Sequence, residues 1–555
     1  MPSSLSRRAA FPVAGAFVLA AALAALAQSP VPSPAAAPAA TPYKTEETRL
    51  GHLDEELLGP VFSRDGRHLA YATHRTPEGA SSPKLCVVVD AQPGAFYDEV
   101  VDETLTFSPD SKRVAYEAVK ANKRLIVADG KPGAEFDGIV DTSLIFSPDS
   151  KRLAFVAKTA RKQLVVVDGA AGPEYDEIGD GTLAFSRDGK RLVYAARNNR
   201  KWLVVVDGQP GAEYPGVGAL VLSPDGRHVA YGAGTSSRQF VVVDGQEGTG
   251  YDGIVDGSLL FSPDSRRLAY QASLGSSSFA VVDGKAGAAY DGVGGLIFSA
   301  DSKHVAYAAA KGPSRLVVLD GKESAESYAK VSALVFSPEG GHVAWVAGRT
   351  SKQSTVVVDG KPGAEYEAAG GLVFSADGKR LAYIAKKGGR QLAVVDGQAG
   401  PDFDSIGDGT LIFSRDGKRL AYEARQGKKL VVVADGKTGA AYDGILDGSL
   451  AFSPDGKHIV FEAAGEKTQF LVLDGKADPA FDGVGSPVFS PDGAHLAYGA
   501  KLGAEQFVVL DGRPGPPCEI VLQESILFGT GNVLEFMAKK QDALYRVKSA
   551  GGAGK

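Results

Sequence analysis

The chain has 555 residues, 44% hydrophobic and 23% charged, with a formal net charge of −6. That length can bury an ample core without disulfides, and the two cysteines, Cys86 and Cys518, are too few for a disulfide framework. The acidic balance leaves no strongly basic surface, so nucleic acid is not an expected partner.

Residues 1–27 read as an export signal. Arg7 and Arg8 form the positive start, Phe11 to Leu26 the apolar core, and Ala25-Leu26-Ala27 a small-x-small cleavage site. This predicts a mature chain starting at Gln28, in the periplasm or outside a bacterial cell, with no stable membrane insertion after cleavage. An uncleaved anchor is the competing reading, and the short apolar core argues against it. Ser6-Arg7-Arg8 hints at twin-arginine export, but Phe11 falls one position late, so that route and the general secretory route both stay open. The Pro- and Ala-rich residues 28–44 are expected to be a disordered leader, and 548–555 a disordered tail.

From residue 45 onward one pattern returns about every 38 residues. Its landmark is Phe-Ser or Leu-Ser, at Phe62, Phe107, Phe146, Phe185, Leu222, Phe261, Phe298, Phe336, Phe374, Phe413, Phe452 and Phe489, with a worn copy at Phe528-Gly529. A fixed period of this size marks stacked copies of one unit. Each copy holds short apolar runs: Ser-Leu-x-Phe-Ser, Arg-Leu-Ala-Tyr, Leu-Val-Val-Val and a weaker Tyr-Asp-x-Ile. Their length, composition and turn-forming borders predict four antiparallel strands. Ser-Pro-Asp-Gly joins the first two, and Asp-Gly-x-x-Gly the last two. The strands are apolar on both faces, so each sheet must be covered on both sides. Blades stacked around an axis satisfy this, which predicts a β-propeller. A flat solenoid is second, since the polar caps it needs are missing.

The run Phe-Ser-Pro-Asp-Gly-Lys-Arg-Leu-Ala-Tyr, followed by Val-Val-Asp-Gly, resembles the WD-like propeller repeat of TolB-type exported proteins and of the propellers capping prolyl oligopeptidase-type peptidases. The resemblance spans about residues 45–546. It implies the propeller fold and leaves the function open, because this fold serves many roles. The α/β domain of TolB and the hydrolase domain of the peptidases have no counterpart here.

The expected architecture is all-β, about thirteen four-stranded blades in two propellers of six and seven, residues 45–290 and 291–547. The last repeat offers only three strands, and strand 49–57 from the chain start is expected to complete it. Cys86 and Cys518 are read either as small buried hydrophobes or as a bond tying the chain ends together.

No catalytic constellation emerges: no His-Glu-x-x-His, no Gly-x-Ser-x-Gly, no Cys-x-x-Cys-His. No cofactor or metal is expected. His68, His228, His304, His342, His458 and His495 occupy the repeat position of Arg152 and Arg191 and read as scaffold; His52 and His74 stand alone. One feature varies between copies. Asp102, Asp141, Asp180, Asp256, Asp408 and Asp447 each precede the landmark Phe by five residues, in a loop assigned to the link between strand four and the next strand one. From the resemblance this loop lies near a central channel. The loop between strands two and three opens on the same face and is basic in several copies: Lys158, Arg161 and Lys162; Arg197, Arg200 and Lys201; Lys428 and Lys429. Trp202 sits beside one such loop, as a contact residue or simply as the start of strand three. The aspartates, with Arg200, Lys201 and Trp202, are candidates for a ligand face; the competing role for the aspartates is turn hydrogen bonding and pairing with nearby bases. The function expected is an exported, monomeric, non-catalytic scaffold binding a protein or envelope polymer. The alternatives are a glycan-active hydrolase or lyase with a channel-mouth site, and a structural spacer.

Overall fold

The computed structural model describes residues 43–54, 57–350 and 352–549. The expected signal and nearly all of the expected leader lie outside the described residues, as does the tail from residue 550. Thirteen antiparallel sheets of one design follow one another along the chain, in an all-β, thirteen-bladed propeller arrangement. Blades 1 to 13, in chain order, begin at residues 58, 99, 138, 177, 216, 253, 292, 330, 368, 405, 444, 483 and 520. Among the described residues the only helical element is a 3₁₀ turn, Thr530–Asn532, and none is long and apolar enough to cross a membrane. The described residues fall into two compact units, one of 43–137 and 495–549, the other of 138–494. Residue 291, the expected division, lies within the second unit. There Tyr290 shares a core cluster with Ala269 and Ala280 of blade 6 and with Val305 and Tyr307 of blade 7.

Blade 3 shows the construction. Its first strand is in two pieces, Gly138–Ile139 and Ile145–Phe146, both paired with Leu153–Thr159. That strand pairs with Lys162–Val167, which pairs with Ala170–Tyr175. The hairpin between strands three and four turns on Asp168 (φ 52) and Gly169 (φ 83), the double positive φ of a tight Asp-Gly turn. The Tyr-Asp-x-Ile run is not a strand, contrary to expectation. Tyr175 ends strand four of blade 3, and Glu177–Ile178 opens strand one of blade 4 against Arg197 and Ala196. Two apolar residues three positions apart read as one element because the reversal between them needs only Asp176, whose amide donates to Arg197 O at 2.9 Å.

The conserved look of the repeat is explained at the joints between blades. The Tyr ending one blade meets the Tyr of the next blade's second strand edge to face, as in Tyr175–Tyr194 and Tyr290–Tyr307, both 6.3 Å between ring centres. Such pairs add about 0.5–1.5 kcal/mol beyond burial. In the Ser-Pro-Asp-Gly turn, Ser147 Oγ donates to Asp149 Oδ1 (2.6 Å) and accepts from the Arg152 amide (2.9 Å). The Asp therefore serves the turn. Where Ser replaces the turn Gly, its hydroxyl reaches the preceding blade: the Asp225 amide donates to Ser265 Oγ, and the Asp264 amide to Ser302 Oγ, both 2.9 Å.

The alternating Arg/His position has the same logic. Arg380 Nε donates to Asp396 Oδ2 (2.9 Å), its guanidinium lies 5.3 Å from the Phe413 ring centre of the next blade, and Nη1 donates to Lys418 O there (2.8 Å). At this position His228 keeps the Asp contact (Asp244 Oδ2, 2.6 Å) and the stacking on Phe261. The histidines are scaffold, as expected. Arg419 makes the same three contacts, to Asp435, Phe452 and Lys457 O. Arg419→Ala should lower stability by about 1–3 kcal/mol, whereas Arg419→His should cost less than half as much. Urea denaturation midpoints of the two variants check this; equal losses would show that neither the Asp contact nor the stacking kept by His contributes.

The thirteenth blade is completed by a strand from the chain start, as expected, with shifted bounds. Thr45–His52 pairs antiparallel with Ala543–Ser549, completing the sheet of Leu534–Lys540 and Ile520–Phe528. Leu53, 3% exposed, enters a cluster with Tyr71, Cys86, Met537 and Leu544. Asp54 receives Arg75 Nε at 2.9 Å and Nη2 at 2.6 Å, and Tyr71 Oη at 2.8 Å. Cys86 and Cys518 are both buried free thiols.

Candidate functional site

The variable aspartates do not sit between blades. They lie inside the first strand, in a two-residue insertion that splits it, or at Asp102 only shifts its pairing within the continuous strand Glu99–Phe107. In blade 3 the interruption is Val140-Asp141-Thr142-Ser143, with the Ser143 amide donating to Val140 O at 3.2 Å and Thr142 at φ 60. Glycine takes that left-handed place in other copies, at Gly181, Gly257, Gly409 and Gly448. The insertion opens a gap in the ladder, and a hydroxyl fills it. Ser143 Oγ donates to Val140 O (2.6 Å) and accepts from the Val156 amide on strand two (3.0 Å). Thr104, Thr182, Thr410 and Ser525 bridge their gaps in the same two-sided way. Ser258 and Ser449 accept the strand-two amides of Gln271 and Glu462.

Because the hydroxyl satisfies the backbone, the aspartate is spare. Among the described residues, the carboxylates of Asp141, Asp180, Asp256, Asp408 and Asp447 make no hydrogen bond or ion pair, and all five are exposed. The expected turn and base-pairing roles are not how these side chains are used. Asp102 differs: it is half-buried, and burial together with the neighbouring Glu103 raises its pKa. The aspartates stand on separate blades with no contact joining them.

Four of the eight basic residues are engaged in ion pairs. Lys162 Nζ meets Asp176 and Lys429 Nζ meets Asp443, both at 2.6 Å. Lys201 Nζ lies 3.5 Å from Glu213. Trp202 is a half-buried member of strand Lys201–Val206, with Arg197 5.8 Å from its ring centre and Arg197 Nε bound to Glu177 at 2.8 Å. Arg200 stays exposed at the hairpin tip, φ 70.

Asp256 lines a cleft. Between blades 5 and 6 lies a cavity of about 400 Å³ whose blade 5 wall includes Gly216, Gly218, Gly232 and Gly234 beside Val217, Ala233 and Gln239. Val255, 47% exposed, and Asp256 form the opposite lip. No Lys, Arg or His lines the cleft, so its single formal charge is negative. A Cβ at Gly218 would sit 3.5 Å from Asp256 Oδ1.

Sequence reasoning missed a second set of carboxylates. Glu117, Glu423 and Glu462 share one position on strand two, where each is buried, at 1%, 6% and 3% exposure. Arg124 neutralises Glu117. Burial, then the Asp447 charge, pushes Glu423 up to about 6, and burial pushes Glu462 up to about 7. A signal was available: Glu or Gln occurs at this position only in repeats that carry the insertion. Among the described residues no group of three or more metal-ligating side chains gathers.

Comparison with known proteins adds little beyond this. No family model matches the chain, and no curated protein matches it. Among solved structures, one described as the crystal structure of the eukaryotic initiation factor aligns over 60% of this chain and 96% of its own, at 16% identity and a TM-score of 0.31.

Proposed function

We propose that this chain is an exported, non-catalytic β-propeller scaffold, of the kind the TolB-like repeat suggests, that binds a protein or envelope component through the face bearing the interrupted first strands. One observation carries the reading: an unengaged carboxylate, Asp256, at the mouth of a glycine-walled cleft. Binding groups are commonly displayed by irregular segments on a rigid frame, and the hydroxyl-bridged insertions are such segments. The scatter of the other aspartates over separate blades favours binding over hydrolysis, which needs acid and base at one place.

The test compares the purified chain with Gly232→Leu and Asp256→Lys variants as baits for an envelope extract of the source cell. A partner held by the parent should be retained at least tenfold less by each variant, with circular dichroism unchanged. Equal retention by all three baits would remove the cleft as the site.

A further inference from the structure

We propose that the cleft between blades 5 and 6 receives a lysine or arginine side chain of a partner protein, with Asp256 as its counter-ion. The inference rests on the binding role proposed above and names what is bound. Val217, Ala233, Ile254 and Leu259 line the cleft among its glycines, so much of its wall is aliphatic. The carboxylate reaches across to blade 5: Asp256 Oδ1 lies 3.5 Å from the place a Cβ would take on Gly218. Its turn is fixed. The Val255 amide donates to Gln271 O at 3.0 Å, the Ser258 amide to Val255 O at 3.1 Å, and Ser258 Oγ accepts from the Gln271 amide at 3.1 Å. The wall is tied as well, since Gln239 Oε1 accepts from the Ile254 amide at 2.7 Å. A guest therefore meets a charge already in place, which lowers the cost of binding it.

The lining selects the guest. With no basic side chain in the cleft and the Asp256 carboxylate unengaged among the described residues, a cation is favoured and an anion repelled. A metal ion needs more oxygen ligands than one carboxylate supplies. No aromatic ring lines the cleft, so a nucleobase has nothing to stack on. Lysine and arginine match both halves of the site: the methylene stem lies along apolar surface while the charged head meets the carboxylate. Val255, 47% exposed at the lip, offers an apolar contact to the residues flanking that side chain. One exposed ion pair contributes little by itself, so a single basic side chain binds weakly.

Saturation-transfer NMR of the purified chain with N-acetyl-lysine amide and N-acetyl-arginine amide tests the site, with N-acetyl-norleucine amide as the uncharged analogue. A basic probe should bind with a Kd on the order of 1 mM, and the norleucine probe at least about fivefold more weakly. Asp256→Asn should abolish that preference. Asp141→Asn, which removes an equally exposed carboxylate on blade 3, should leave it unchanged. Equal binding of basic and uncharged probes, a preference that survives Asp256→Asn, or no binding of a basic probe by about 10 mM overturns the inference. Envelope capture separates this from the broader reading. A partner lost by Gly232→Leu but held by Asp256→Asn would keep the cleft as the binding site and remove its cationic guest.

Discussion

Deleting residues 43–54 should destabilise the unit built from 43–137 and 495–549 by more than about 5 kcal/mol. Three losses combine. The strand Ala543–Ser549 loses its partner and becomes an open sheet edge. Leu53 leaves a cavity among Tyr71, Cys86, Met537 and Leu544, which for a buried Leu costs about 2–5 kcal/mol. Arg75 loses the bidentate Asp54 carboxylate at a site where its side chain is only 23% exposed. Tyr43 adds a smaller tie, its hydroxyl donating to Val508 O at 3.1 Å. Limited proteolysis and denaturant midpoints measure the effect, with Leu53→Ala and Asp54→Ala apportioning it. A deletion variant with the parental midpoint would mean that blade 13 stands on three strands.

Glu462→Gln should make the protein more stable at pH 8 by roughly 2–3 kcal/mol, and make little difference at pH 4. The carboxyl of Glu462 is held neutral to about 7 by burial, above its range in an unfolded chain. The folded state therefore binds the proton more tightly, and stability falls as pH rises through the interval between the unfolded value and about 7. Above that the penalty is constant. Gln keeps the shape and cannot ionise, so the slope should vanish with it. Glu423→Gln should act in the same direction with a smaller effect, since Glu423 is raised only to about 6. Turn aspartates such as Asp188 and Asp225 are lowered by their Ser partners and act below that interval, where stability is lost as pH falls. Thermal midpoints of parent and variant from about pH 4 to 8 give the comparison. Parallel curves would mean that water already solvates Glu462.

How much of this was written in the sequence follows from what repeats. The turn set, the aromatic pairs and the Arg/His position occur in copy after copy, so period, strand content and blade number could be read from it. The closing strand was visible as an apolar run before the first Phe-Ser, although it runs from Thr45 to His52 rather than 49 to 57. Tyr175 and Ile178 misled because hydropathy cannot show a chain reversal at Asp176. The insertion aspartates were noticed for their spacing, yet their place inside a strand depends on a hydroxyl two residues later. The buried glutamates went unseen because Tyr-Glu-Ala looks like any amphipathic strand; only burial reveals that the Glu points into the joint between blades.

The closing strand has a mechanical consequence. Thr45 pairs with Ser549 and His52 with Ala543, so the segments leading out of Thr45 and Ser549 leave the sheet at the same end. Tension between them loads the ladder one rung at a time, as a zipper, instead of shearing all rungs together. Pulled by its two ends, the molecule should open at blade 13 first and at low force. Pulled through a hairpin within blade 8 and another within blade 10, it should resist.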